Sequence, residues 1–388
     1  MRALDDAGLA RYYREQAGVR PVTAGRPEFF DTGPEIRRKM LDLIRGAKSY
    51  ILIDSFLLTR TASSAAVLEA LKEKRAQGLR IYVLADASSR FVPGKPVFAE
   101  LGRAGIPCAE FHPIHPGSLF KIGELFERDH RKFWVVDGKI LFIGGANLHG
   151  ESLDGPGGGG NLDFMVAIES PGATREMVDA FAEAWNKSSK RKLDASEFAV
   201  SRSCEPHADV WMFDQRLQSG REKVPVMVDG LFDVARRDIW LLQPYTFTHD
   251  DLLRKIREAS GRGVRVNLIL SRKAKDVRFI FASYYGVRDI LDAGGHVWIY
   301  NSKISPLHYK GILVDDRWVS VGSANLNFRS YHLSREASVV FRDPLAVRAM
   351  RDTLRGVLRD SREVTMKEAR HYRGPLYWLW WKVMQLAG

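Results

Sequence analysis

Two cysteines, Cys108 and Cys204, are all that this 388-residue chain contains. That excludes a disulfide framework, and without a C-x-x-C pair it excludes the usual cysteine metal site. A reducing compartment is the simplest setting for such a chain. Nowhere do roughly 18 apolar residues run together, so a spanning helix is not expected. The opening residues, MRALDDAGLARYYREQAGVR, lack the apolar centre of a secretory signal, which points to the cytosolic side. Acidic residues are also in deficit: 47 of them face 59 lysines and arginines, a net charge of +12. Such a surface attracts polyanions, whether nucleic acid, anionic lipid headgroups or phosphorylated substrates, without choosing among them. The hydrophobic content of 45% is that of a folded protein. The length suits two domains or one large two-lobed domain.

The chain repeats itself. Tyr50–Leu57 reads as a buried strand, Val67–Arg75 as a helix stopped by Gly78, and Leu79–Ala85 as the next strand. Asp238–Tyr245, Asp250–Ala259, Gly263 and Val264–Leu270 repeat that order. A further helix and strand follow each time: Lys95–Ala104 then Ile106–Phe111, and Phe279–Ala293 then His296–Tyr300. Alternating strands and helices imply βαβ units. The expectation is an α/β protein of two similar α/β/α lobes, with mixed, largely parallel sheets, related by a pseudo-twofold axis. The division read from the sequence is an N-terminal extension (1–28), a first lobe (29–190), a linker (191–223), a second lobe (224–362) and an aromatic tail (363–388).

His130, Lys132 and Asp137 form H-x-K-x-x-x-x-D, and His308, Lys310 and Asp315 form it again. Small-residue tails follow, Gly144-Gly145-Ala146-Asn147-Leu148 and Gly322-Ser323-Ala324-Asn325-Leu326. The two copies lie 178 residues apart at every one of these positions. One copy of a short motif is easily accidental; two in register with matching tails are not. Phe133–Val136, Asp137-Gly138 and Lys139–Ile143 read as a hairpin with an Asp-Gly turn. Residues two apart in a strand share a face, so each histidine points the same way as its lysine. Asp137 and Asp315 fall at the far end of the hairpin, as turn and register residues.

If the lobes face each other, two imidazoles and two ammonium groups surround one anion in a shared site. A phosphodiester suits that site. The lysines neutralise charge building on its non-bridging oxygens. One imidazole attacks phosphorus and the other moves the proton of the departing and arriving oxygens. No metal or other cofactor is required. The nucleophilic imidazole needs a carboxylate to set its tautomer. Asp163 and Glu336, 33 and 28 residues past the histidines, are candidates, with ordinary strand-end acids as the alternative. Asn147, Asn325 and Ser323 are candidates to bind phosphate oxygens, or to serve as plain turn residues.

These motifs, in the phrases FERDHRKFWVVDGKILFIGGANL and LHYKGILVDDRWVSVGSANLNFRS followed by SREASVVF, resemble the phospholipase D superfamily, and within it the bacterial cardiolipin synthases. The resemblance runs from about Phe29 to Asp343. It implies phosphatidyl transfer with His130 as nucleophile, His308 as acid/base, and Asp163 and Glu336 orienting the two rings. The implied reaction moves the phosphatidyl group of phosphatidylglycerol onto a second phospholipid and releases glycerol. This chain resembles the shorter members, without the two N-terminal spanning helices of many such synthases. Water as acceptor would make the same site a phospholipase D. A nuclease is the rival enzyme, but two motifs in one chain and the aromatic tail disfavour nucleic acid. A non-catalytic lipid-binding scaffold has no use for paired His and Lys.

The tail carries Trp378, Trp380 and Trp381 between Arg373 and Lys382, a pattern suited to an anionic membrane surface. The alternative is a helix docked on the protein's own core. The expected location is peripheral, on the cytoplasmic face of the cell membrane. Phe279–Tyr285 reads as a core-facing helix. Gly155–Gly160 reads as a lip of the cleft, since it lacks the strand-to-helix context of a phosphate loop.

Overall fold

The computed structural model describes residues 3–92, 94–113, 127–155, 157–217, 222–274 and 276–387. The first repeat opens on the strand Tyr50–Ser55, buried along its whole length. Tyr50 and Leu52 enter one hydrophobic cluster, Ile51 and Ile53 another. A strand covered on both faces has no need of polar alternation, which explains its unbroken apolar run. Helix Ala62–Ala76 starts on a Thr61–Ser64 capping box. Gly78, at φ +94°, ends the turn that follows. Arg80–Asp86 then pairs parallel to the first strand, and Cys108–Phe111 parallel to the second. The second lobe repeats this with Asp238–Leu242, helix Asp250–Gly261, Gly263 at φ +83°, Arg265–Ser271 and His296–Tyr300.

Parallel pairing belongs to these βαβ strands. The motif strands join the same sheets antiparallel, because a tight turn can only connect antiparallel neighbours. Lys132–Val136 pairs with Ile140–Gly144, and Gly311–Val314 with Trp318–Gly322. Both turns use the left-handed region: Asp137 and Gly138 at φ 54° and 61°, Asp315 and Asp316 at 54° and 53°. The motif aspartates then act at a distance. Asp137 accepts hydrogen bonds from the backbone N–H groups of Lys48, Ser49 and Tyr50 at 2.7–3.0 Å. Asp315 accepts from Arg236, Arg237 and Asp238 at 2.7–2.9 Å. Each clamps its hairpin to the entry of the neighbouring strand.

Three boundaries differ from the sequence reading. The helix expected from Lys95 begins at Phe98, because Lys95-Pro96 pairs with Thr59-Arg60 and a residue before proline avoids helix. The helix expected over 279–293 is broken at Gly286 into Val277–Tyr285 and Val287–Asp292. A Cβ at Gly286 would meet Thr248 at 2.4 Å. Third, the segment read as a linker contains the strand Ala208–Gln215, which pairs with Ser334–Phe341 and with Pro21–Ala24. The N-terminal helix Asp6–Ala17 packs on helix Lys223–Val234, Tyr13 Oη donating to the Met227 carbonyl at 3.0 Å. Helix Asp6–Ala17 and the strands Pro21–Ala24 and Ala208–Gln215 are therefore integral to the second lobe, whereas the start of the expected linker packs on the first, Tyr50 Oη donating to the Ala199 carbonyl at 2.9 Å. The short apolar run Val210–Phe213 was obscured by its polar flanks.

One hydrophobic cluster lies between the two sheets. It joins Leu52, Phe133 and Val135 of the first lobe to Leu313, Val319 and Val339 of the second, with helices Pro171–Ser188 and Pro344–Arg359 packed into it. Each fully buried aliphatic side chain there contributes about 1.5–3 kcal/mol. This shared core fixes one lobe against the other. Asp137→Ala, which strips three backbone amides of their acceptor, is expected to lower the unfolding free energy by about 3 kcal/mol. Urea unfolding measures it; an unchanged midpoint would refute the clamp.

Candidate active site

The motifs meet through backbone pairing between lobes. Arg128-Asp129 runs parallel beside Ser334-Arg335, and the His130 N–H donates to the Arg335 carbonyl at 3.0 Å. Leu307 bridges Leu162 in the same sense, and the His308 N–H donates to the Leu162 carbonyl at 2.8 Å. The residue after each of those carbonyls is an acid, Glu336 or Asp163. The carboxylate oxygens of Glu336 stand 3.0 and 3.1 Å from His130 Nδ1, and Asp163 Oδ2 stands 2.6 Å from His308 Nδ1. Sequence order sets each acid behind its own motif; the fold exchanges them. A carboxylate on Nδ1 holds the proton there and leaves Nε2 as the free base.

Both rings line one cavity of about 730 Å³, within the usual range for small-ligand sites. Lys132 and Lys310 are buried beside them. Each ammonium group donates to the carbonyl of its own motif's histidine, Lys310 at 2.6 Å. Lys310 Nζ is also 2.6 Å from His308 Nδ1 and 3.8 Å from Asp163 Oδ2.

Burial dominates the electrostatics. It pushes His130 down to about 4, against the upward pull of Glu336 and with help from Lys132. His308 moves the same way, by burial and then by Lys310. Both rings are thus neutral near pH 7, as an attacking nitrogen requires. Burial lowers Lys132 to about 7 and Lys310 to about 8, opposed by Glu336 and Asp163 respectively. For the two acids burial acts upward and is outweighed: His130 and Lys132 hold Glu336 low, and Lys310 and His308 hold Asp163 low. Both stay ionised.

Ser323 does not present its hydroxyl to a phosphate. Its Oγ donates to Glu336 Oε2 and accepts from the Ala337 N–H at 3.0 Å. Ser330, missed from the sequence, holds the other oxygen, Oε1, at 2.7 Å. The signal for Ser330 lay in the repeat: Asn147-x-x-x-x-Ser152 and Asn325-x-x-x-x-Ser330 keep the 178-residue offset. At Gly145, the counterpart of Ser323, a Cβ would come within 2.2 Å of Asp163 Oδ1, so the shorter acid occupies the serine's space. Asn147 lines the cavity while its Oδ1 accepts from the Leu57 N–H at 3.0 Å. Asn325 is buried with its Oδ1 unpaired.

Two more groups escaped sequence reasoning. Arg131, between His130 and Lys132, is fully buried and pairs with Asp129, Asp214 and Asp54 at 2.6, 3.0 and 3.2 Å. Asp54 and Asp214 come from different lobes, so Arg131 ties the sheets behind His130. Phe56, Leu57, Pro244 and Tyr245, read as strand ends, leave their strands and wall the cavity. Proline cannot donate to a ladder, which ends the second strand there.

The tail forms a helix, Pro375–Ala387. Trp381 packs on Tyr285 at 5.1 Å and Trp380 lies beneath Arg278 at 5.4 Å, so both are part of the docking face on helix Val277–Tyr285. Only Trp378 of the three is strongly exposed, at 47%, together with Leu376, Leu379 and Val383. Among the described residues no helix is long and apolar enough to cross a membrane.

Two copies of one histidine–lysine motif, delivered by similar lobes to a single cavity, define the phospholipase D-like class. Within it, a family model described as "Cardiolipin synthase, PLD-like domain" matches residues 40–185 and 229–357, and the chain belongs to that family. Cardiolipin synthase 2 of Bacillus cereus is 27% identical over 86% of this chain, and the chain spans 64% of that relative's length. Cardiolipin synthase B of Salmonella typhi is 26% identical over 85% of this chain and 80% of its own. The crystal structure of the phosphatidylserine synthase of Haemophilus influenzae superposes over 98% of both chains with a TM-score of 0.74 at 16% identity, a likeness of fold.

The lysines give a pH test. An ammonium group is charged below its pKa, so anion affinity is present at low pH and lost as pH rises through about 7 to 8. The kcat/KM for a phosphodiester, which reports the free enzyme, is expected to fall above about pH 7, with the alkaline limb of kcat lying higher because bound anion restores the lysine protons. A flat kcat/KM profile from pH 6 to about 9 would refute this assignment.

Proposed function

We propose that the chain is a phosphatidyltransferase that makes cardiolipin from phosphatidylglycerol and a second phospholipid through a phosphohistidine. The observation that carries this reading is one cavity bounded by two neutral imidazoles, each aligned by a carboxylate of the opposite lobe, beside two buried lysines. The names of the relatives add the lipid chemistry.

His130 Nε2 attacks phosphorus, the N–P bond forms and the bond to the glycerol oxygen breaks. The anion held between the rings raises the proton affinity of His308, which hands that oxygen its proton. In the second half, His308 takes the proton of the acceptor hydroxyl, whose oxygen attacks phosphorus and breaks the N–P bond. Lys132 and Lys310 neutralise the non-bridging oxygens, and Asn147 and Asn325 assist from the motif tails. No cofactor enters.

The cavity opens toward lipid. Phe91 and Val277, at 68% and 54% exposure, stand at its wall, and Leu376, Leu379 and Val383 with Trp378 are exposed on the helix docked against Val277–Tyr285. With a net charge of +12, this surface suits peripheral binding to the anionic cytoplasmic face of a membrane.

Purified protein given vesicles of phosphatidylglycerol is expected to yield cardiolipin and glycerol by mass spectrometry. Phosphatidic acid alone would mean hydrolysis, and cleaved DNA without lipid product a nuclease. The crossed pairs separate the two histidines. Glu336→Gln should behave like His130→Ala and form no phosphoprotein trapped by denaturation in alkaline detergent, whereas Asp163→Asn, which leaves the His130–Glu336 pair intact, should still form it, each with at least about a hundredfold loss of turnover. The reverse pattern would exchange the roles. Replacing Leu376, Leu379 and Val383 by Ser is expected to weaken sedimentation with anionic vesicles about fivefold or more, melting temperature unchanged; undiminished binding would reject these side chains as the contact.

A further inference from the structure

The two lobes differ at one cavity position that the repeat makes directly comparable. Two residues past Asn147 and Asn325 stand His149 and Asn327, again 178 apart. Asn327 has a structural role, because it caps the following short helix, its Oδ1 accepting from the Ser330 N–H at 2.8 Å. His149 precedes the matching helix and makes no capping bond. It is only 2% exposed, yet it lines the reaction cavity. Its Nδ1 lies 2.6 Å from Thr59 Oγ1, whereas its buried Nε2 has no hydrogen-bond partner. A buried ring nitrogen left unpaired costs on the order of 1–3 kcal/mol unless a ligand meets it.

The neighbour of that nitrogen limits what the ligand can be. Glu151 Oε1 is 3.5 Å from Nε2, and Glu151 and Asn161 line the same wall. A phosphate oxygen is repelled by that carboxylate. A hydroxyl satisfies both groups at once, accepting from Nε2–H and donating to Glu151, while the Thr59 hydroxyl donates to Nδ1. We infer that His149, with Glu151, binds a free hydroxyl of the glycerol headgroup of phosphatidylglycerol. His149 is thus a specificity residue on the first lobe's side of a centre whose chemistry is otherwise twofold. This inference rests on the proposed phosphatidyl transfer.

The test compares two phosphatidyl donors in vesicles, each with 1-butanol in the medium as the common acceptor alcohol: phosphatidylglycerol, and phosphatidylethanol, whose headgroup has no free hydroxyl. Wild-type protein is expected to favour phosphatidylglycerol. In His149→Asn, which copies the second lobe's capping residue and so keeps the fold, that preference should fall about tenfold, through KM for phosphatidylglycerol. His149→Gln, whose amide reaches toward the place of Nε2, should retain most of it. An unchanged preference in the Asn variant, or equal loss on both donors, would overturn the role of His149 while leaving transfer intact. Wild-type protein inert toward both lipids would overturn the transfer reading and this inference with it.

Discussion

Two backbone hydrogen bonds between lobes, His130 N–H to Arg335 and His308 N–H to Leu162, are the constraint on which the site depends. Each puts a motif histidine in register with the strand that carries an acid in the other half of the chain. A slip of one residue would turn that acid to the opposite face of its strand. Neither lobe alone holds an imidazole with its carboxylate. The shared core between the sheets and the buried pairs of Arg131 with Asp54 and Asp214 serve the same register. Buried ion pairs add little net stability, but breaking one leaves a charge stranded, so they discriminate sharply against misaligned lobes.

Burial sets the chemistry that this register permits. Four cationic or potentially cationic groups in a buried site cannot all be charged, and the site resolves this by neutral imidazoles and lysines poised near neutrality. A phosphodiester changes the balance. In the proposed reaction its charge favours protonation of both lysines and of His308, while the ring nearest phosphorus stays a base. Substrate binding and acid catalysis are then one electrostatic event. Glu336 and Asp163 keep their charge throughout because each faces a ring and an ammonium group.

Much of this was legible in the sequence. The doubled motif, the Asp-Gly turn at Asp137 and the βαβ order all follow from local rules that tertiary contacts had no reason to override. The acids were visible too, but not their exchange: spacing along the chain carries no information on which of two similar lobes supplies a partner. Ser323 was misread for a related reason. A hydroxyl in a motif tail suits a phosphate or a carboxylate equally, and only the position of Glu336 decides between them. Trp380 and Trp381 share the fault, since an aromatic face looks the same whether it meets lipid or helix Val277–Tyr285. The strand Ala208–Gln215 was hidden because its partners lie at both ends of the chain.

The pseudo-twofold design fits the proposed transfer, a reaction that is nearly its own reverse. Transfer breaks one ester bond to phosphorus and makes another of the same kind, so one proton shuttle serves both halves. Symmetry of the centre gives no means of telling headgroup from headgroup, and discrimination falls to the walls, where the copies diverge. His149 opposite Asn327, and Gly145 opposite Ser323, are places where one lobe keeps a structural role and the other gives it up. In a duplicated fold, selectivity is therefore best sought at repeat positions that no longer match, and catalysis at those that still do.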